Sequence, residues 1–294
     1  MNVMHTVLPY IISGISVGGQ YALIAIGYTM VYGILRLINF AHGDVFMVAG
    51  LMMVYMAASL PLYIAIPLMI LLTVLLGFAI ERVAYKPLRT APRMSVMISA
   101  IGVSYLLQNL ALYITGGLNK NYPAIPWISD RITVLGMETT RVTVITPFLT
   151  IALVVALVLL INHTKIGMAM RAVSVDFDTA QLMGINVNVT ISLTFAIGSA
   201  LAAIAGVLLC SMYPNLLPTV GAMPGIKAFT AAVFGGIGSI PGAMLGGILL
   251  GIIEIFAKAY VSTQLANAIV FAVLIIVLLV KPAGLLGKQI KEKV

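Results

Sequence analysis

The chain has 294 residues, of which 62% are hydrophobic and 8% are charged, and its formal net charge is +8. So low a charged fraction excludes a soluble globular domain, because soluble domains carry about 25% charged residues. The positive charge does not indicate nucleic-acid binding, since the basic residues are scattered near the ends of apolar blocks, where they anchor against anionic lipid. The single cysteine, Cys210, excludes a disulfide framework.

Nine apolar blocks follow one another along the chain, and the longest can cross the hydrocarbon core of a bilayer. They cover residues 7–31, 41–58, 62–80, 94–115, 143–161, 189–213, 225–240, 243–260 and 264–280. A transmembrane barrel would instead show alternating segments of about ten residues. The sequence therefore predicts an all-α polytopic membrane protein with about eight to nine transmembrane helices, forming one domain over residues 1–294.

Three segments concentrate the basic residues and predict the orientation of the chain. They hold, in turn, Arg82, Lys86, Arg89 and Arg93; Lys165 and Arg171; and Lys281, Lys288, Lys291 and Lys293. Positively charged loops stay on the cytoplasmic side of a membrane. Residues 162–188 are therefore predicted to form a cytoplasmic loop and residues 116–142 an external loop. The N-terminus then lies outside if every block crosses completely.

Two stretches, 32–58 and 225–251, are interrupted by polar residues, glycine or proline. Interrupted segments in two halves of a chain indicate the central pathway of a transporter. FAHGDVFMVAG in the first stretch loosely resembles IGSIPGAMLGG in the second. One or two re-entrant segments, and an inverted repeat, therefore stand as alternatives to nine complete crossings.

The first interrupted stretch brings Asn39, His42 and Asp44 close together in the sequence. A charged side chain at the bilayer centre costs about 2.5–3.5 kcal/mol, so it persists only where it is paired, wet or near an interface. Asn39 or Asp44 either caps a helix that begins near Val45 or lines a polar cavity, and the two interpretations are compatible. Together with Gln20, the candidate pathway residues are Asn39, His42 and Asp44. One His and one Asp are too few ligands for a metal site.

Glycines four residues apart predict a close helix contact around Pro241. The candidate packing residues are Gly238, Gly242, Gly246, Gly247 and Gly251, and the pairs Gly14–Gly18 and Ala202–Gly206 repeat the spacing. Small residues at this spacing form a flat stripe on which another helix approaches closely.

Glu254 is the other carboxylate deep in an apolar block, and Lys258 follows it by four residues. That order favours an ion pair on one helix face. An intramembrane enzyme is the weaker interpretation, because no nucleophile or second acid stands at a recognisable spacing from His42 and Asp44. No catalytic residue is predicted.

The predicted cytoplasmic loop contains a short helix with recognisable ends. Asp176 is placed to cap a helix from Phe177, and Gly184 is placed to end it in the left-handed conformation. Ala180 and Met183 form a small apolar face, which suits either an ordinary solvated connection or docking into a groove of a soluble partner. The sequence has no G-x-x-x-x-G-K-[ST] motif, so ATP chemistry would belong to another chain, and no cofactor is predicted.

Five stretches are distinctive: GGQYALIAIGYTMVYGILRLINFAHGDVFMVAG, AIERVAYKPLR, MISAIG, GMAMRAVSVDFDTAQLMGIN and KAFTAAVFGGIGSIPGAMLGGILLG. Together they resemble the H-type permease subunit of the branched-chain amino acid ABC importers. The resemblance runs through nearly the whole chain and is weakest in residues 116–142. It implies a bacterial-type inner-membrane permease with eight to ten helices around a central pathway, in contact with membrane lipid.

The resemblance also implies partners and a substrate. They are a second, related permease subunit that completes a heterodimer, two cytoplasmic ATP-binding subunits, and a periplasmic or extracellular binding protein that delivers leucine, isoleucine or valine. The loop would couple to the ATP-binding subunits through Gly167, Arg171, Ala172, Asp176, Ala180 and Gly184. Relatives that move urea or short amides leave the substrate open. A stand-alone secondary transporter or channel is the competing class; it would need ion-coupling carboxylates at mid-membrane, and only Asp44 and Glu254 are available.

Overall fold

A computed structural model describes residues 3–89, 91–134 and 137–287. Its α-helices are α1 (Val3–Leu35), α2 (His42–Ala57), α3 (Leu62–Ile80), α4 (Arg93–Thr115), α5 (Pro126–Ser129), α6 (Arg141–His163), α7 (Lys165–Val175), α8 (Phe177–Leu182), α9 (Val187–Met212), α10 (Ala222–Gly235), α11 (Ile240–Tyr260) and α12 (Ala266–Val280), and a π-helical segment (Glu81–Tyr85) and a 3-10 turn (Lys86–Leu88) continue α3. Apart from α5, α7 and α8, each coincides with a predicted apolar block, so the all-α prediction is confirmed. Six helices in these ranges are long and apolar enough to cross a membrane, while α2, α10 and α12 are shorter.

Two small antiparallel pairs of strands accompany the predicted external loop. The pairs are β1 (Lys120–Asn121) with β4 (Asn215–Leu216), and β2 (Arg131–Val134) with β3 (Met137–Thr140). The first pair joins the segment after α4 to the segment after α9. The described residues of 116–142 therefore lie at the same end of the helix bundle as residues 213–216.

Helices α1 and α11 run antiparallel and in backbone contact. A methyl group on Gly14 would lie 2.7 Å from the Cα atom of Ile252, and one on Gly18 would lie 2.6 Å from the Cα atom of Ile248. Since the residue numbers rise on one helix as they fall on the other, the two helices point in opposite directions. The glycines make this approach because they carry no side chain at the contact.

Helix α9 is also antiparallel to α1. A methyl group on Gly198 would lie 3.4 Å from the Cα atom of Gly27. Closer to the beginning of α1, Gln20 Nε2 donates to Met212 Sδ at 3.8 Å, near the end of α9. Because α9 and α11 are both antiparallel to α1, both begin at the end of the bundle where α1 ends.

The described parts of the three basic segments come together at that end. Arg89 Nη1 donates to Asn188 Oδ1 at 2.5 Å, which ties the segment after α3 to the beginning of α9. The Leu285 N–H donates to the Phe234 carbonyl, which holds the segment after α12 beside the connection from α10 to α11. The basic segments thus lie opposite residues 116–142. The tail lysines Lys288, Lys291 and Lys293 fall outside the described residues.

The two halves of the chain repeat one order of elements in opposite directions. In the first half, the long helix α1 is followed by the short helix α2 and the long helix α3. In the second half, α9, α10 and α11 follow the same order of long, short and long. Helix α2 packs on α9, and α10 packs on α1. The counterpart of α2 is therefore α10, and the arrangement is inverted because α1 and α9 are antiparallel. The likeness between FAHGDVFMVAG and IGSIPGAMLGG does not mark this repeat, since the second stretch lies at the beginning of α11.

Four of the five candidate packing glycines lie in close helix contacts. The contacts join Gly242 to Gly235, Gly246 to Ala231, Gly247 to Ala22, and Gly251 to Gly18. The prediction for Gly238 is wrong, because α11 begins only at Ile240. An added Cβ on Gly238 would meet no atom within 4 Å, and its φ of +94° serves the turn before the helix.

Candidate functional site

The two interrupted stretches meet where α2 and α10 begin. A methyl group on Gly43 would lie 2.7 Å from the Cα atom of Gly225, and one on Gly221 would lie 2.6 Å from the Gly43 carbonyl oxygen. The absence of side chains at these positions allows the two helix beginnings to touch through their backbones. A cavity of about 290 Å³ lies beside this contact, between α1, α2, α4 and α10.

Asp44 is the charged residue among those that line the cavity, and α4 holds its carboxylate in place. Ser104 Oγ donates to Asp44 Oδ2 at 2.5 Å, and Gln108 Nε2 donates to Asp44 Oδ1 at 3.0 Å. Asp44 also lies in the first turn of α2, where the positive end of the helix favours a carboxylate. Within the described part of the chain no basic side chain forms an ion pair with it, and both of its hydrogen-bond donors are neutral.

The prediction that Asn39 or Asp44 caps this helix is wrong. Helix α2 begins at His42, before the predicted start at Val45, and its N-cap residue forms no side-chain capping hydrogen bond. Asn39 Oδ1 instead accepts a hydrogen bond from Tyr85 Oη at 2.9 Å. This bond ties the connection before α2 to the segment that follows α3.

The other pathway candidates do not line this cavity. His42 is buried, its ring packs edge-on against Tyr28 at a centroid distance of 5.0 Å, and a methyl group on Gly27 would collide with its Nε2 atom. Gln20 is fully buried in the contact between α1 and α9. Of the four candidates, the structure brings Asp44 to the cavity, whereas Gln20, Asn39 and His42 fix the helices around it.

The rest of the cavity wall is largely apolar and aromatic. Phe229 of α10 lies with its ring 6.2 Å from that of Phe40 and 6.0 Å from that of Tyr28. Ile101 and Ile226 complete this side. The cavity therefore combines one anionic group with an apolar surface.

Sequence reasoning missed Ser104 and Gln108, which hold the Asp44 carboxylate. Both stand in the apolar block 94–115, four residues apart and hence on one face of the helix. That pair of polar residues in an apolar helix is the signal that could have identified them.

A second buried polar cluster surrounds Glu254 on α11. Lys258 Nζ lies 2.6 Å from Glu254 Oε1, as the spacing of the two residues predicts. Lys227 Nζ of α10 lies 2.8 Å from the same oxygen, and Tyr21 Oη of α1 donates to Glu254 Oε2 at 3.0 Å. Sequence reasoning missed Lys227 and Tyr21, because nothing local to Glu254 indicates them. The cluster joins α1, α10 and α11.

The short helix in the loop 162–188 has both predicted ends. Asp176 Oδ1 accepts from the Thr179 N–H at 2.6 Å, and this hydrogen bond holds the pKa of Asp176 below its ordinary value. Gly184 has a φ of +82°, and the Ile185 N–H donates to the Ala180 carbonyl oxygen. These features confirm the cap at Asp176 and the left-handed end at Gly184.

Three of the coupling candidates face inwards. Ala180 is only 3% exposed, so its predicted place on an outward apolar face is wrong: α8 turns it towards α7 and α9. Ala172 is half-buried. Gly167 is buried, and a methyl group on it would collide with the Ile161 carbonyl oxygen. These residues shape the loop instead of presenting a surface.

The outward surface of the loop mixes charged and apolar side chains. The other three coupling candidates, Arg171, Asp176 and Gly184, are exposed. Beside them Val175, Leu182 and Met183 are 87%, 87% and 79% exposed. The predicted exposure of Met183 is thus confirmed, while Val175 and Leu182 were missed.

The chain matches the family model described as "Branched-chain amino acid transport system / permease component" over residues 10–278. It is 44% identical to the high-affinity branched-chain amino acid transport system permease protein LivH of Salmonella typhimurium, over 98% of this chain and 97% of that protein. It is 42% identical to the corresponding protein BraD of Pseudomonas aeruginosa, over 100% of both chains. The ribose import permease protein RbsC of Haemophilus influenzae is 26% identical over 79% of this chain and 72% of that protein. The chain is therefore a multi-pass protein of the inner membrane and belongs to the family of permease components of branched-chain amino acid transport systems.

Proposed function

We propose that this chain translocates leucine, isoleucine or valine across the inner membrane as one permease subunit of an ATP-driven importer. A second, related permease subunit completes the pathway, two cytoplasmic ATP-binding subunits drive it, and a periplasmic or extracellular binding protein delivers the amino acid. Family membership supports the class of transporter. The observation that carries the substrate is the cavity that places Asp44 opposite apolar side chains.

The cavity offers a complementary group to each part of an apolar amino acid. The Asp44 carboxylate suits the α-ammonium group, since charge-assisted hydrogen bonds are the stronger ones. Phe40, Ile226 and Phe229 suit a branched aliphatic side chain. The beginnings of α2 and α10 present the positive ends of two short helices, which suit the α-carboxylate, as in other transporters built from interrupted helices.

The exposure of the α4 wall supports a second permease subunit. Ile101 and Tyr105 line the cavity and are nevertheless 41% and 63% exposed on this chain. A cavity wall that reaches the protein surface leaves the site incomplete until another subunit covers it. Pseudo-symmetric packing of two related permeases would close the pathway between them.

The loop with α7 and α8 is the proposed contact with the ATP-binding subunits. Leu182 and Met183 form an apolar surface next to the charged Arg171 and Asp176, which suits a groove on a soluble partner.

The end of the bundle that carries this loop also carries the basic segments, so we assign it to the cytoplasm and residues 116–142 to the outside. ATP would then shift the pathway from inward-facing to outward-facing, because the importer would bind ATP more tightly in the outward-facing state. ATP hydrolysis belongs to the partner subunits.

Transport by reconstituted protein tests the proposal. The permease, co-expressed with its genomic partners and placed in liposomes with ATP, should take up labelled leucine, isoleucine and valine when the binding protein is present. Labelled urea and acetamide should be taken up at background level, because neither carries an ammonium group for Asp44. Uptake of urea above that of leucine would reassign the substrate to urea or short amides. Uptake that needs an ion gradient and no ATP would favour a secondary transporter.

A further inference from the structure

A groove at the basic end of the bundle is lined by cations that the transport site does not use. It lies between the segment that follows α3 and the beginning of α9, with a volume of about 170 Å³. Arg82 and Lys86 provide its positive charge, and Asn188 and Ser192 provide polar side chains. The remaining wall is apolar and includes Phe78 near the end of α3.

The positive charge of this groove is not neutralised by its neighbours. Glu81, which precedes Arg82 in the sequence, is buried, forms an ion pair with Arg89 and accepts from Ser192 Oγ at 2.7 Å. Its charge is therefore already compensated. In the described ranges Arg82 and Lys86 form no ion pair, so two positive charges remain in excess.

An apolar strip leads from the membrane interior to these cations. Leu71, Leu75 and Phe78 of α3 are 55%, 52% and 39% exposed, and their spacing places them on one side of the helix. Arg82 continues the strip, with its guanidinium carbon 5.9 Å from the centroid of the Phe78 ring. An exposed apolar strip that ends in cations matches a molecule with apolar chains and an anionic head.

We propose that this groove binds the phosphodiester headgroup of an anionic phospholipid, with its acyl chains along Leu71 and Leu75. Arg82 and Lys86 would bind the phosphate oxygens, and Asn188 would contact the polar part of the headgroup. Basic pockets between helices at the cytoplasmic surface suit such lipids, because anionic lipids are abundant in that leaflet and their headgroups are attracted to the basic side chains. A free phosphate ion would use the cations but not the apolar strip. The proposal requires only that the chain lies in the membrane, and so it is independent of the transported substrate.

Native mass spectrometry of the purified importer, titrated with phosphatidylglycerol or phosphatidylcholine, tests this site. We compare the wild type with Arg82→Gln/Lys86→Gln, and with Lys120→Gln/Arg131→Gln as a control that removes the same two side-chain types from the opposite end. One basic side chain near an anionic surface contributes a factor of about 5 in affinity, so the first variant should bind phosphatidylglycerol about 30-fold more weakly. The control and the charge-preserving Arg82→Lys/Lys86→Arg should bind as the wild type does.

The same titrations distinguish a lipid from the other possible occupants of the groove. Preference for phosphatidylglycerol over phosphatidylcholine that disappears in Arg82→Gln/Lys86→Gln supports the proposal. Release of the lipid by millimolar inorganic phosphate at constant ionic strength would reassign the groove to a free anion. Loss of the ATP-binding subunits from the glutamine variant, with lipid binding unchanged, would make the groove a protein contact. Equal lipid binding by all variants would overturn the site.

Discussion

Gly43 in α2 and Gly225 in α10 touch through their backbones, and a methyl group on Gly43 would lie only 2.7 Å from the Cα atom of Gly225. Two short helices from opposite halves of the chain thus begin at one point, and the cavity with Asp44 lies beside it. The contact fixes both helix ends that the proposed function assigns to the amino acid.

Gly43→Ala should separate the beginnings of α2 and α10. Both nearest neighbours of the added methyl group, the Gly225 Cα atom and the Gly221 carbonyl oxygen at 2.8 Å, are backbone atoms that no side-chain rotation can move away. Overpacking of this kind costs about 1–3 kcal/mol. We expect a lower unfolding temperature and loss of leucine uptake in liposomes. Gly33→Ala is the matched control, because an added methyl group there meets no atom within 4 Å; equal losses in both variants would contradict the role of the contact.

Asp44→Asn should impair transport without impairing assembly. Asparagine keeps the size of the side chain and can still bond with Ser104 and Gln108, but it removes the charge that the proposed function pairs with the ammonium group. A hydrogen bond to a charged group contributes about 1.5–3 kcal/mol, which predicts a loss of leucine uptake of roughly 10- to 100-fold. Asp130→Asn, at an exposed ion pair with Arg141, should transport normally. Unchanged uptake in Asp44→Asn would rule out contact between Asp44 and the substrate.

Glu254→Gln should destabilise the bundle more than Lys258→Gln does. The first change leaves the buried Lys227 ammonium without its carboxylate, and breaking a buried pair on one side costs about 3–5 kcal/mol. The second change leaves the pair of Glu254 with Lys227 intact and removes a side chain that is one-third exposed. Denaturant unfolding of the purified protein in detergent measures the difference. Equal free energies of unfolding for the two variants would mean that the Lys227 ammonium group reaches solvent or another acceptor.

Gly184→Val should release the ATP-binding subunits. Space does not limit this position, since an added Cβ meets no atom within 4 Å, but a φ of +82° strains a β-branched residue by about 1–2 kcal/mol. Relief of that strain would reorient α8 and its exposed Leu182. Gly184→Asn is the control, because asparagine adopts the left-handed conformation more readily. Co-purification should fail for the valine variant and persist for the asparagine variant; full association of the valine variant would show that the loop is only a linker.

Cysteine labelling tests the orientation of the chain. Cys210 is the single native cysteine and is buried, so it should give little background. Arg131→Cys in the β2–β3 hairpin should react with an impermeant thiol reagent added to spheroplasts, and Asp178→Cys in α8 should react only after the membrane is opened. The reverse pattern would place the basic end of the bundle outside.

Local chemistry was enough to predict the apolar helices of this protein and the short helix α8. The nine apolar blocks coincide with nine helices in the described ranges because an uninterrupted apolar run in a membrane must satisfy its backbone hydrogen bonds internally, and a helix does so within one segment. The ends of α8 were predictable for the same reason: the bond from the Thr179 N–H to Asp176 and the left-handed Gly184 involve neighbours in sequence. The Glu254–Lys258 pair likewise lies within one helix.

The contacts that build the sites depended on the tertiary structure. Neither the meeting of Gly43 with Gly225 nor the approach of Lys227 and Tyr21 to Glu254 leaves a local pattern, because each joins helices far apart in sequence. The predicted cap of α2 and the predicted exposure of Ala180 were wrong for the same reason. Asn39 and Asp44 bond with residues far away in the sequence, and α8 packs Ala180 against other helices. The sequence by itself determined which apolar segments are helices, which end of the bundle is basic and which family the chain resembles. The tertiary structure decided which face of each helix meets the cavity, since the nearly uniform apolarity of membrane helices leaves their rotation and their partners to long-range packing.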